Sequence, residues 1–421
     1  MNNNRNLRQS RSYRLSTIVL ITIITVLLFN RCEKNNNNTE PPKTNNYLID
    51  YQQAGYYSIN TIKGLMSTLA GSYPDINGLA DNTGYNVLIY KIDYKTHFLD
   101  STITASGLVC VPVASQEFPV ISFQNGTNTL KSNAPSMNPT NSLYLLLELM
   151  AGNGYVIVIP DYIGFGASAD ILHPYYDRVS TDNAVTDMIK ASYELLNDAA
   201  VSAKSNGNQY LMGYSQGGWA TLSALDEIEN GNDTAISVKA TSCGAGAYDM
   251  MSVSDYILQQ DTFPGPLYLP YFIYSQQQMG TISDPLTKFF KEPYAGRIPV
   301  LFDGSYSNAE VDAQLTDTIA NLVTDNLRNN LGNGTNFSEL RNLLTENSVT
   351  AWKTKSLINF YHGTADLNVP PGQSDEIYAG FQNQGVSDKV NLYKLDGLNH
   401  ETGIIPWGIM TINWFNSLEK K

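Results

Sequence analysis

The sequence predicts an α/β fold, a mostly parallel, doubly wound sheet with an inserted helical cap. Three observations predict it. Short apolar or β-branched runs, several stopping at glycine, recur along the chain, as in strands buried on both faces of a parallel sheet. Helical stretches fall between them, so strand and helix alternate. Between Tyr248 and Trp352 this alternation breaks down into a stretch rich in Tyr, Phe, Pro, Gln and Asn.

The first sheet element expected is an antiparallel hairpin from about Tyr85 to Val113, where apolar and polar residues alternate around a polar interruption at Lys95 to Asp100. The parallel strands are expected at Phe118 to Phe123, Tyr155 to Pro160, Gln209 to Met212, Val238 to Cys243, Leu357 to Tyr361 and Val390 to Leu395. Helices are expected at Ser142 to Ala151, Thr181 to Ala200 behind a Ser/Thr/Asp cluster that can cap it, Gln216 to Glu229, Pro371 to Gln384 and Thr402 to Leu418. The sheet core is thus expected in two parts, 51–247 and 353–421. Residues 248–352 between them are read as a mostly helical cap over the carboxyl ends of the strands, where ligands bind in such sheets. Short helical patterns stand out there near Ser283 to Lys291 and Ala309 to Leu331. A chain of 421 residues has room for both parts.

The amino terminus reads as an export signal. Arg5, Arg8, Arg11 and Arg14 stand without an acid before the apolar run Leu15 to Phe29. That run is shorter than the roughly 20 residues needed to span a bilayer, so cleavage is expected rather than a permanent span. Cys32 closes it, where bacterial lipoprotein signals place the cysteine that is diacylated; residues 1–31 would then be the signal peptide and the protein would be held by lipid at the outer membrane or cell surface. A leftover cysteine in an ordinary secretory signal is the alternative. Residues 32–50, with four consecutive asparagines and a Thr-Glu-Pro-Pro-Lys-Thr stretch, read as a flexible tether.

Charge and cysteine usage exclude several classes. Removing residues 1–31, which hold five arginines and no acid, takes the formal charge from −13 to −18. Such acidity argues against nucleic acid or anionic headgroups as partners. Cys110 and Cys243 lie in apolar, strand-like runs and are expected as buried free thiols rather than a disulfide, although export would permit one. The four histidines are dispersed singly, so no metal site and no cofactor is expected.

The chemistry concentrates at Gly213-Tyr214-Ser215-Gln216-Gly217, between the apolar Tyr210-Leu211-Met212 and the helical Trp219 to Leu225. A serine on a strand-to-helix turn of this kind is held in a strained geometry that projects its hydroxyl, and the glycines leave room for the tight backbone. The N–H of Gln216, at the start of the helix, has no helical acceptor and can face a developing oxyanion. Serine needs a base. His97 and His173 precede it, and His362 ends an apolar strand where a packed histidine is usual; His400, on the loop Asp396 to Glu401 after the last strand, remains. The acid is expected at Asp366, on the loop after Leu357 to Tyr361, with Asp396 as competitor four residues from His400. A second oxyanion donor is expected at the N–H of Thr127, in Phe123-Gln124-Asn125-Gly126-Thr127, after an earlier strand.

Gly213 to Gly218, Pro160-Asp161-Tyr162-Ile163-Gly164-Phe165-Gly166, His173-Pro174-Tyr175 and His362-Gly363-x-x-Asp366-x-x-Val369-Pro370 together resemble the secretory lipases and related esterases of the α/β-hydrolase superfamily. The resemblance spans roughly residues 85–420. It implies the α/β-hydrolase fold, a triad of Ser215, Asp366 and His400, and structural roles for Asp161 and His173. The chain departs from the family at Asn125-Gly126, where relatives carry His-Gly, and in lacking the small residues usual before a lipidated cysteine.

These readings favour hydrolysis of a small-molecule or polymer-borne carboxylic ester through an acyl-enzyme on Ser215, by a lipase, a short-chain esterase or a polysaccharide-deacylating esterase. A serine peptidase of the prolyl-oligopeptidase type is the nearest rival, although fewer than 100 residues precede the first expected strand, too few for the propeller such enzymes carry. A non-catalytic surface lipoprotein binding glycans or peptides is a third reading, opposed by the complete set of Ser215, Asp366 and His400.

Overall fold

Nine strands among the described residues form one sheet in the order β1-β2-β3-β5-β4-β6-β7-β8-β9. The structure is a computed structural model that describes residues 45–71, 73–139, 142–231, 234–332 and 336–420. The expected signal peptide, Cys32 and the tether as far as residue 44 lie outside them. The strands are β1 (Leu48–Tyr57), β2 (Val87–Phe98), β3 (Ser101–Pro112), β4 (Glu117–Gln124), β5 (Val156–Pro160), β6 (Lys204–Tyr214), β7 (Val238–Gly244), β8 (Leu357–Gly363) and β9 (Val390–Leu395). β1, β2, β3 and β5 pair antiparallel in succession, and every pairing from β5 through β4 to β9 is parallel. The parallel strands β5, β6 and β8 end in buried residues, which is why they read as unbroken apolar runs.

Helices cover both faces. The longer ones are α1 (Ile59–Ala70), α2 (Ser142–Ala151), α3 (Arg178–Leu196) and α4 (Gln216–Asn230), then α5 (Met250–Gln259), α6 (Tyr268–Gln278), α7 (Tyr294–Leu301), α8 (Asn308–Gln314) and α9 (Ser338–Glu346) between β7 and β8, and finally α10 (Gly372–Asn383) and α11 (Ile404–Glu419). One apolar cluster joins Trp219 and Leu222 of α4 to Phe272 of α6, Ile298 of α7 and Leu344 of α9. The cap therefore has no separate core and packs as an extension of one face of the sheet. Glu229, at the end of α4, receives the chain as it returns from the cap: its carboxylate accepts from Trp352 Nε1 at 2.8 Å and from the N–H groups of Lys355 and Ser356 at 2.9 Å.

Four expectations change. The first part of the core starts before residue 51, because Leu48 to Asp50 already belong to β1; the Glu194 carboxylate accepts from the N–H groups of Asn46, Tyr47 and Leu48 and fixes the strand's start. β1 and α1 add to the expected elements; β1, an edge strand with mostly exposed side chains, carries little apolar alternation. α3 begins three residues before the expected Thr181, capped by Asp177, whose side chain accepts from the Ser180 N–H at 2.9 Å. The pattern from Ala309 to Leu331 is broken into short helices, interrupted where Thr318 and Val323 form bridges to Thr262 and Phe290, and Ser283 to Lys291 yields only one turn at Leu286–Lys288. Cys110 and Cys243 are buried free thiols.

Candidate active site

Ser215 joins β6 to α4 with φ 61° and ψ −126°, a conformation that L residues rarely adopt. The surrounding glycines make it feasible. A Cβ on Gly213 would overlap the Gly217 carbonyl, one on Gly217 the Gln124 carbonyl and one on Gly218 the Gly244 carbonyl, so the turn is wedged between β4 and β7. The Ser215 N–H donates to the Gly244 carbonyl at 2.9 Å.

The structure brings His400 and Asp366 to this serine from loops after β9 and β8. His400 Nε2 lies 2.8 Å from Ser215 Oγ, and His400 Nδ1 lies 2.6 Å from Asp366 Oδ2. An acceptor carboxylate opposite Nδ1 fixes the proton there, leaving Nε2 to accept from the serine hydroxyl. Asp366 Oδ1 accepts from the N–H groups of Asn368 and Val369, both at 2.9 Å. Burial pushes this carboxyl up, but hydrogen bonds from His362 and His400, the His400 charge and the Val369 N–H outweigh it and hold it at about 2. His362 contributes at 3.4 Å while Nε2 donates more closely, at 2.9 Å, to the Val369 carbonyl. Fully buried, His362 is a packed residue behind Asp366. Asp396 makes no contact with His400 among the described hydrogen bonds and ion pairs.

The two loops are laced together. Ala365 N–H donates to the Leu398 carbonyl at 3.0 Å and Gly397 N–H to Thr364 Oγ1 at 2.8 Å. A Cβ on Gly363 would overlap the Leu398 carbonyl, so only glycine allows this approach.

Thr127 lies beside Ser215 on the loop after β4, and a Cβ on Gly126 would stand 3.9 Å from Ser215 Cβ. Among the described residues neither the Thr127 N–H nor the Gln216 N–H has a protein acceptor. Thr127 Oγ1 bonds the Tyr175 hydroxyl at 2.7 Å, and Tyr175 stacks on Tyr271 of the cap, which stacks on Phe302. The departure at Asn125 has a structural account: its Nδ2 donates to the Pro160 carbonyl at 2.7 Å and ties the loop to the end of β5.

Asp161 and His173 shape the surroundings. Asp161 accepts from Ser106 Oγ at 2.5 Å and from the Ser136 N–H at 2.8 Å. Burial pushes the His173 ring down to about 4, and it is neutral: Nδ1 donates to the Ile163 carbonyl at 2.7 Å, so Nε2 accepts from Gln216 Nε2 at 3.1 Å.

One contributor escaped sequence reasoning. Asn308, the first residue of α8 in the cap, donates from Nδ2 to the Thr127 carbonyl at 2.8 Å and accepts at Oδ1 from the Thr129 N–H at 3.0 Å. Separated from Thr127 by 181 positions, it leaves no local signal.

Two cavities meet at Ser215. The smaller, of about 40 Å³, is walled by the cap side chains Val253, Ile257, Leu269, Phe272 and Leu344. The larger, of about 470 Å³, runs past His400, Tyr144, Ile404, Trp407 and Asn308. Among the described residues no cluster of His, Cys, Asp or Glu side chains could hold a metal ion.

This sheet order, cap and serine turn define the α/β-hydrolase fold. A model of the secretory lipase family matches residues 130–232. Among solved structures the chain is similar to a candidate hydrolase of Legionella pneumophila, with 25% identity over 89% of this chain and 99% of that one and a TM-score of 0.79. It is similar in fold to a mutant form of the rice cell wall degrading esterase LipA of Xanthomonas oryzae (20% identity, 90% and 99% coverage, TM-score 0.74) and to Candida antarctica lipase A (14%, 85% and 78%, 0.58). No curated protein matched the chain. The family match and these neighbours are consistent with a lipase-like α/β-hydrolase and support ester hydrolysis as its chemistry. The secretory family also accords with export, and no helix among the described residues is long and apolar enough to cross a membrane.

Proposed function

We propose that this protein is an exported serine esterase that cleaves carboxylic esters through an acyl-enzyme on Ser215. One observation carries the reading: a single imidazole, that of His400, bridges the Ser215 hydroxyl and the buried Asp366 carboxylate. Ser215 Oγ attacks the ester carbonyl as His400 Nε2 takes its proton. Asp366 stabilises the imidazolium, and its low proton affinity keeps it a carboxylate throughout. The N–H groups of Thr127 and Gln216 receive the oxyanion. As the C–O bond breaks, His400 returns the proton to the leaving alcohol. Water then enters, gives a proton to His400 and its hydroxyl to the acyl carbon, and the free acid departs as Ser215 is reprotonated. No cofactor is required.

Fluorophosphonate labelling tests this. Wild type is expected to label at Ser215 and to hydrolyse p-nitrophenyl butyrate, and Ser215→Ala to do neither; an unlabelled, inactive wild type would favour a binding protein. Cleavage of dipeptidyl-p-nitroanilides without ester cleavage would favour the peptidase. The amino terminus adds that Cys32 carries the lipid holding the enzyme at the outer membrane or cell surface. Alkynyl-palmitate labelling in cells, lost in Cys32→Ala, is the expected result.

A further inference from the structure

We infer that the two cavities divide the ester, the small one taking the acyl group and the large one the alcohol, so that the substrate joins a short acyl chain of about two to four carbons to a bulky alcohol. This rests on ester hydrolysis at Ser215. The assignment of sides follows from proton transfer. The imidazolium formed when Ser215 attacks must hand its proton to the departing oxygen, so the alcohol lies on the side of His400. His400 lines the large cavity and not the small one, whereas Ser215 and Thr127 line both. The carbonyl therefore sits at their junction, with the acyl chain pointing under the cap.

Volume sets the chain length. About 40 Å³ admits roughly three groups the size of a water molecule. Ile257 of α5, Phe272 of α6 and Leu344 of α9 wall this space while buried at 6%, 2% and 0% exposure, so lengthening it means repacking three helices. The alcohol side, at about 470 Å³, is in the range of small-molecule sites. Its lining mixes the exposed Ile404 with the polar side chains of Asn368 and Glu401, which suits an alcohol with both apolar and hydrogen-bonding surface.

The full chain is assayed on p-nitrophenyl esters from acetyl to dodecanoyl, and on butyrate esters of ethyl, benzyl and naphthylmethyl alcohols. In the first series kcat/KM is expected to fall at least tenfold from butyryl to octanoyl. In the second it is expected to rise with alcohol size. Octanoyl cleaved as fast as butyryl, or a fall with alcohol size, overturns the inference. Leu344→Ala should raise the octanoyl-to-butyryl ratio about fivefold. Ile404→Trp, at a partly exposed position that tolerates bulk, should lower naphthylmethyl butyrate turnover severalfold and leave the acyl-length ratio unchanged. If Ile404→Trp changes the acyl-length ratio instead, the sides are reversed. Failure of the underlying esterase reading looks different: no ester is cleaved and no fluorophosphonate is bound.

Discussion

The Asn308 side chain in the cap holds both ends of one stretch of the loop after β4, donating to the Thr127 carbonyl at 2.8 Å and accepting from the Thr129 N–H at 3.0 Å. The cap thereby sets the position of a peptide group beside Ser215. Asn308→Ala should lower kcat on p-nitrophenyl butyrate about tenfold, through loss of alignment, with a much smaller change in KM. The residue is only half-buried, so the melting temperature should move by no more than a few degrees. An unchanged kcat would show that the loop holds itself.

Gly363 is where the loops of Asp366 and His400 touch. Gly363→Ala places a methyl group against the Leu398 carbonyl and should push the His400 loop outward. A displacement near 1 Å is enough to cost about 100-fold in kcat. The variant should still fold cooperatively in a circular-dichroism melt and react slowly with fluorophosphonate.

Asp182 gives the molecule a pH-dependent stability. Burial raises its carboxyl to about 8, against the charge of Arg178, whose Nε lies 3.6 Å away. A folded-state value above the unfolded one means that the native state binds more protons between about pH 4 and pH 8, so stability falls as pH rises through that window. Asp182→Asn removes the dependence. In urea denaturation the stability of the variant relative to wild type should rise between pH 5 and pH 9 by about 4 kcal/mol. Parallel curves at both pH values would contradict this.

Glu194 anchors β1 far from the chemistry. Glu194→Ala leaves three N–H groups without their carboxylate and should speed amide exchange across Leu48–Tyr57. Esterase activity should be unaltered. Protection of β1 retained in the variant would mean that its ladder to β2 suffices.

What could be read from the sequence was local. The turn at Ser215 is a continuous strand, glycine turn and helix, and steric demands within six residues mark it. The parallel strands were legible because burial on both faces leaves unbroken apolar runs, as in Val156–Pro160. Relationships across the chain were not. Asn308 meets Thr127 only because the cap folds back on the sheet, and Glu229 receives the chain 123 to 127 positions later. β1 escaped notice because it is held by backbone pairing and a distant carboxylate rather than by an apolar face. The long helical pattern from Ala309 to Leu331 misled for a related reason: bridges at Thr318 and Val323 outweigh local helix preference.

The contact of His400 with only one of the two cavities orders events in time. With the ester divided as proposed above, the first product would leave through the roomier cavity, and the next nucleophile would reach the acyl group by the same opening. Any alcohol that fits there competes with water, so the enzyme should move acyl groups between alcohols when a well-fitting acceptor is abundant.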